Sequence, residues 1–156
     1  MCLSITWKDN KKGISVIEIL IAITIITIAL ASVLSLANFS LKAASFNKET
    51  TKANAISQEA MEAVRSIRDS DWTKLTPGSR GLTSAAGFWD FAGTEDVING
   101  FTRTILIENV SRDPATDNIE ITYNPANNDP NTKKITAIVS WKSKEVKIIT
   151  YLANWK

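Results

Sequence analysis

Residues 11–31 read KKGISVIEILIAITIITIALA, and this stretch decides the fold. Glu18 is the only charged residue between Lys12 and Lys42, inside an apolar run that covers residues 14–41. About 20 such residues suffice to cross a bilayer as a helix. A carboxylate within a membrane-length run costs roughly 3 kcal/mol or more, so it is usually retained for a partner. The run therefore predicts a transmembrane helix with a functional charge near its N-terminal end.

The helical pattern continues beyond the apolar run. Apolar residues recur at helical spacing as far as Ile67, and residues 14–76 contain neither glycine nor proline. We expect one continuous helix over residues 14–72, about 85 Å long at 1.5 Å per residue. The breaker Thr76-Pro77-Gly78 follows it. The short domain beyond cannot cover a helix of this length, so much of the helix needs other partners.

The rest of the chain predicts a loop and then strands. Residues 73–100 hold every glycine except Gly13 and are expected to form a Gly-rich connecting loop. Within it, the sequence FWDF at residues 88–91 is expected to pack on the helix or on the sheet. The segment Asp113-Pro114 and residues 124–131 are typical of turns. Four runs have strand character: residues 101–110, 119–123, 135–141 and 146–155.

This layout predicts an α+β fold. The long N-terminal helix would pack on a C-terminal antiparallel β-meander of about four strands, formed by residues 101–156. The apolar first half of the helix would lie in the membrane. Because lysines precede residues 14–41 and no comparable cluster directly follows, the positive-inside rule predicts an N-terminus in the cytoplasm.

The composition argues against catalysis. The chain has no histidine and one cysteine, Cys2, so the commonest general base, the usual nucleophilic triads and Cys/His zinc sites are missing. Residues 1–13 carry three lysines and one aspartate, a net charge of +2, which equals the net charge of the whole chain. The remainder is formally neutral and has no polybasic patch. We predict no enzymatic activity, no cofactor, no metal site and no nucleic-acid partner.

Five residues at the start of the apolar run carry a resemblance. Lys11 and Lys12 precede Gly13, the apolar Ile14 follows, and Glu18 is the fifth residue after Gly13. This arrangement resembles the class III signal of type IV prepilins and type II secretion pseudopilins. The similarity covers residues 11–31 in detail, and the order of helix, loop and β-meander covers the whole chain.

The resemblance implies processing and assembly. A prepilin peptidase would remove the basic leader, residues 1–13, by cutting after Gly13, and the new amine of Ile14 would be methylated. Glu18 would then pair with the Ile14 amine of a neighbouring subunit. The partners implied are identical or related pilin subunits, the peptidase, inner-membrane assembly machinery and, before assembly, the lipid bilayer. The product would be an extracellular or periplasmic filament in which residues 14–41 form the core.

Some features depart from the commonest family pattern. Ile14 stands where Phe or Met is more usual, and Ser35 stands where many major pilins have a proline. The segment after the leader has no cysteine pair. These departures favour a minor pilin, a pseudopilin or a simpler bacterial pilin. Some pseudopilins bind calcium in a C-terminal loop, but the spacing of Asp113, Asp117 and residues 124–131 fits no calcium template.

Two other functions remain open from the sequence. Residues 14–41 could anchor an extracytoplasmic binding domain to the membrane as a single pass, without cleavage or assembly. Alternatively, the chain could be a tip or minor subunit with a role in adhesion or DNA uptake.

Along the second half of the helix, the spacing also predicts exposed ion pairs between Glu62 and Arg65 and between Arg65 and Asp69.

Overall fold

The computed structural model describes residues 15–155. The leader, including Lys11, Lys12 and Gly13, and the first residue after it, Ile14, lie outside the described residues. The chain divides into two compact units, residues 1–46 and residues 47–156.

One helix, α1, runs from Val16 to Ser70. Its 55 residues correspond to about 82 Å, and they confirm the long helix that the sequence predicts. Asp71 ends it by starting a short 3₁₀ turn at Trp72–Lys74. Its carboxylate accepts hydrogen bonds from the backbone N–H and the hydroxyl of Thr73, at 2.9 and 2.7 Å. Proline and glycine follow within seven residues, so the helix cannot resume.

The folded unit of residues 47–156 contains one antiparallel sheet of six strands. In space their order is β2-β1-β4-β5-β6, and β3 pairs with the start of β4. The central pair, β4 and β5, is the longest. The strands are β1 Gly78–Ala85, β2 Phe88–Ala92, β3 Asp96–Ile98, β4 Phe101–Ser111, β5 Asn128–Trp141 and β6 Lys144–Ala153.

The sheet corrects three expectations from the sequence. Residues 73–100 are not a connecting loop, because β1, β2 and β3 lie within them. Residues 119–123 do not form a strand: their only strand-like contact among the described residues is an isolated bridge between Arg112 and Ile119, and Ile121 is fully exposed. In addition, β5 begins at Asn128, inside the segment expected to be a turn.

The core lies between one face of α1 and one face of the sheet. Helix residues 53–67 contribute small and branched side chains at intervals of three and four, which is the spacing of one helix face. Trp89 and Phe91 pack against this core, as the sequence predicts for the aromatic segment, whereas Phe88 stays exposed. The buried helix residues are Ala53, Ser57, Ala60, Met61, Ala63, Val64 and Ile67.

Candidate functional site: the apolar helix and its carboxylate

The first half of α1 is apolar and uncovered. Every residue from 16 to 42 is exposed, including the large side chains Ile21, Leu30 and Phe39. Its most apolar 18-residue window has a mean hydropathy of 2.7, and none of that window is buried. Within residues 15–155, α1 is the one helix long and apolar enough to cross a membrane by length and composition. Such a surface is stable only against lipid or against other apolar helices.

Three hydroxyl groups in this segment donate hydrogen bonds within the helix itself. Thr24 Oγ1 donates to the Leu20 carbonyl at 2.8 Å, and Ser32 Oγ donates to the Ile28 carbonyl at 2.9 Å. Thr27 bonds to the carbonyl of Thr24 in the same way, at 2.9 Å. Because these groups need no external partner, the surface of the segment behaves as apolar.

Glu18 is the exception in this segment. It lies in the first turn of α1, where its backbone N–H donates to the Ser15 carbonyl at 3.0 Å. The helix dipole favours an anion at this position. Among residues 15–155, no side chain forms an ion pair with the Glu18 carboxylate, and the side chain is exposed. Within residues 15–155, the structure therefore places a carboxylate without an ion-pair partner at the start of an apolar surface, and the other predicted site residues lie outside this range.

The predicted turns use their side chains locally. Asp113 Oδ1 accepts backbone hydrogen bonds from Ala115 and Thr116 at 2.7 and 3.1 Å, and Asn124 Oδ1 accepts one from Ala126 at 3.1 Å. These contacts are typical of Asx turns. Within residues 15–155, no group of three or more His, Cys, Asp or Glu side chains is arranged to hold a metal ion.

A buried ion cluster was not predicted from the sequence. Arg103 is only 2% exposed and binds Asp96 in a bidentate manner, through Nε at 3.1 Å and Nη2 at 2.8 Å. It also reaches Glu59 on α1 at 3.2 Å and lies 5.7 Å from the centre of the Trp89 ring. These partners come from three elements other than the strand of Arg103, so local spacing gives no signal for the cluster. The arrangement is structural, because it ties α1 and strands β2, β3 and β4 together.

A second charged contact lies where α1 enters the folded unit. Glu49 accepts hydrogen bonds from Lys142 Nζ at 2.6 Å and from Trp141 Nε1 at 3.2 Å. The Lys142 hydrogen bond lowers the pKa of the Glu49 carboxyl below its ordinary value. Farther along α1, the predicted pair of Glu62 and Arg65 is present. Asp69 accepts a hydrogen bond from Arg68 at 2.8 Å.

The comparisons with known proteins agree with the N-terminal segment. Comparison with curated proteins gives no match, and comparison with solved structures gives none. Residues 8–34 match the family model described as the prokaryotic N-terminal methylation motif. This motif, followed by a long helix packed on an antiparallel sheet, supports a likeness to the prepilin family.

Proposed function

We propose that this chain is the precursor of a structural subunit in a type IV pilus or a pseudopilus-like filament. A prepilin peptidase cuts it after Gly13, and Ile14 becomes the methylated N-terminus. Assembly then occurs through the first half of α1. The observation that carries the proposal is the methylation motif at residues 8–34, which overlaps the apolar first half of α1, where every residue from 16 to 42 is exposed.

The apolar surface of α1 and the Glu18 carboxylate contribute to assembly in different ways. Residues 16–41 present apolar side chains that need lipid before assembly and neighbouring helices afterwards. Glu18 would pair with the Ile14 amine of an adjacent subunit within this apolar setting. A charge buried without its partner is strongly destabilising, so pairing selects the register in which the two groups meet. Lys11 and Lys12 would hold the leader on the cytoplasmic side.

The test is the N-terminus of the mature chain. The full chain is expressed in membranes with and without a prepilin peptidase, and the product is identified by mass spectrometry. We expect a product that begins at Ile14 and carries one methyl group only when the peptidase is present. A Gly13→Leu variant is the matched control, and it should keep its leader because a bulky residue blocks the extended peptide at the cut.

Other products would contradict the proposal. An intact leader in the presence of an active peptidase would leave a single-pass anchored protein. Cleavage after residue 41 would indicate a secreted domain. A co-expressed known prepilin, processed in the same cells, establishes that the peptidase is active.

A further inference from the structure

Charge is segregated between the two ends of the sheet. One end, here called the basic end, comprises residues 47–52 of α1 and residues 140–147 around the β5–β6 turn. It carries five lysines and two glutamates, a net charge of +3. The other end, here called the acidic loop, comprises residues 112–129. It carries four carboxylates and one arginine, a net charge of −3. The chain beyond the leader has no net charge. The two charged ends therefore arise because positive and negative residues are separated, and not from an excess of either sign.

The basic end is a fixed surface. Lys142 and Ser143 form the tight turn between β5 and β6 with φ of 43° and 62°, as two-residue hairpin turns require. Glu49 holds this turn against α1 through Lys142 and Trp141. On α1, Lys48 and Lys52 are exposed and lie one turn apart.

The acidic loop is also held in place. Arg112 binds Asp129 at 2.7 Å and the carbonyl of Asp117 at 2.9 Å, so its charge is used within the loop. Glu120 uses one oxygen to accept from Asn127 at 3.0 Å, and its other oxygen is buried without a partner among the described atoms, whereas Asp117 is exposed. The loop therefore presents net negative charge on a defined backbone.

The two ends lie far apart. Strand β4 begins beside the basic end, where Phe101 and Trp141 have ring centres 5.6 Å apart. It ends at Ser111, directly before the acidic loop. Strand β4 rises about 3.3 Å per residue over ten residue-to-residue steps, so the basic end and the acidic loop lie roughly 33 Å apart. Opposite charges at this separation cannot satisfy one another within one copy, because the Debye length is about 8 Å at physiological ionic strength.

We infer that the partner of the basic end is a second copy of this chain, bound through its acidic loop. This inference rests on the proposed function, since a polar filament points all copies in one direction. Complementary ends then give a heterologous, head-to-tail contact that propagates instead of closing. Such complementarity orients subunits and disfavours like-with-like contacts.

Crosslinking tests the inference in the full chain. Both partners carry Cys2→Ser, so that introduced cysteines are the only ones. One tagged copy carries Ala115→Cys in the acidic loop, and a differently tagged copy carries Ser143→Cys at the basic end; both sites are exposed and uncharged. With a prepilin peptidase and assembly machinery present, a short bis-maleimide should join unlike copies about tenfold more than like copies.

Neutralising a carboxylate of the acidic loop tests whether the crosslink between unlike copies depends on charge. Asp117→Asn keeps a residue that tolerates the positive φ of 57° and removes one charge of the acidic loop. We expect it and added salt to lower the unlike crosslink severalfold. Glu95→Gln is the matched control, because it neutralises an exposed carboxylate outside both ends and should change nothing.

Three results would overturn the inference. The first is Ser143→Cys crosslinking mainly to itself, and the second is a crosslink that is indifferent to Asp117→Asn and to salt. The third is capture of the basic end by anionic phospholipid with no unlike crosslink. The proposed function is tested separately on the same material: a product that begins at Ile14 and sediments as filaments, but gives no unlike crosslink, contradicts this inference alone.

Discussion

The two halves of α1 contrast sharply although they belong to one helix. Residues 16–42 are exposed throughout, and their large side chains are almost all Ile, Leu or Val. Residues 53–67 bury one face against the sheet, and much of that face is alanine or serine. The half with the greater apolar surface is thus the one that its own chain leaves uncovered.

The two halves of α1 differ in the partners that they require for stability. Small side chains at Ala53, Ala60 and Ala63 let the helix approach the sheet closely, so the second half is complete within one copy. The first half has large side chains and no facing element among the described residues of its own unit. Its stability depends on what surrounds it, which is the property that a subunit moving from bilayer to filament needs.

The largest effect is expected from removal of Glu18, which should lower filament yield. Glu18→Ala should leave a neighbouring amine unpaired in an apolar setting, at a cost of about 3–5 kcal/mol. This corresponds to more than about a hundredfold loss of filaments sheared from cells. Glu62→Ala is the matched change in the packed half. Its ion pair with Arg65 is exposed and is worth a few tenths of a kcal/mol, so filament yield should hardly change.

The readout is filament yield at equal subunit levels in the membrane. Trp fluorescence of the purified chains should be the same for both variants, because neither residue lies in the core. Equal loss of filaments from Glu18→Ala and Glu62→Ala would remove any special role for Glu18.

Truncation of matched isoleucines sharpens the contrast between the halves. Ile67 is fully buried, whereas Ile28 is 63% exposed. We expect Ile67→Ala to lower the free energy of unfolding of the folded unit by about 2–5 kcal/mol. Ile28→Ala should change it by less than about 0.5 kcal/mol. Denaturant titration in mild detergent, followed by Trp fluorescence, measures both. A comparable loss from Ile28→Ala would mean that the apolar half supports the folded unit.

A loss within the same range is expected from the buried ion cluster. Arg103→Met removes the cation and leaves Asp96 without its bidentate partner, at a cost of about 3 kcal/mol, because Asp96 retains some contact with solvent. Arg65→Met is the control, since its pair is exposed and should cost less than about 0.5 kcal/mol. Restored stability in a double variant with Asp96→Asn would assign the loss to the uncompensated carboxylate. No restoration would indicate lost packing.

The helix could be predicted from the sequence because its signals are local. Residues 14–76 have no breaker and keep helical spacing, so the predicted span of residues 14–72 differs from Val16–Ser70 only at its ends. The α+β class followed from a long helix before a series of alternating runs. The exposure of the first half also followed, since no later segment was long enough to cover it.

Glycine misled the prediction for residues 73–100. Gly81 lies within β1, where a Cβ would come within 2.6 Å of the backbone oxygens of Ala92 and Glu95. It therefore marks a close approach between strands rather than a loop. Gly87 and Gly100 adopt positive φ at the tips of hairpins. A glycine-rich segment with short strands looks the same in sequence as a loop, because pairing partners are distant along the chain.

The false strand at residues 119–123 has a different cause. Its alternation is clean, but a register shift at Asn109/Val110 lets the start of β5 pair with the end of β4. Asn128 and Asp129 thereby take the places opposite Ser111 and Val110. Alternation predicts strand character, but it does not determine which segment pairs with the end of β4. The site residues before Ser15 remain predictions, since the chemistry proposed for them rests on the motif.

The smallest effect expected is the acid response of the contact at Glu49. The hydrogen bond from Lys142 lowers the pKa of this carboxyl in the folded chain from its ordinary value of 4.5. The contact therefore stabilises fully above the unfolded value and loses its contribution as the pH falls through the folded one. Unfolding between pH 6 and pH 3 should show a shallower acid decline for Glu49→Gln than for the wild type. Lys142→Gln should give an intermediate decline, because Trp141 Nε1 still donates to Glu49, and a wild-type slope in both variants would show that the contact adds no pH-dependent stability.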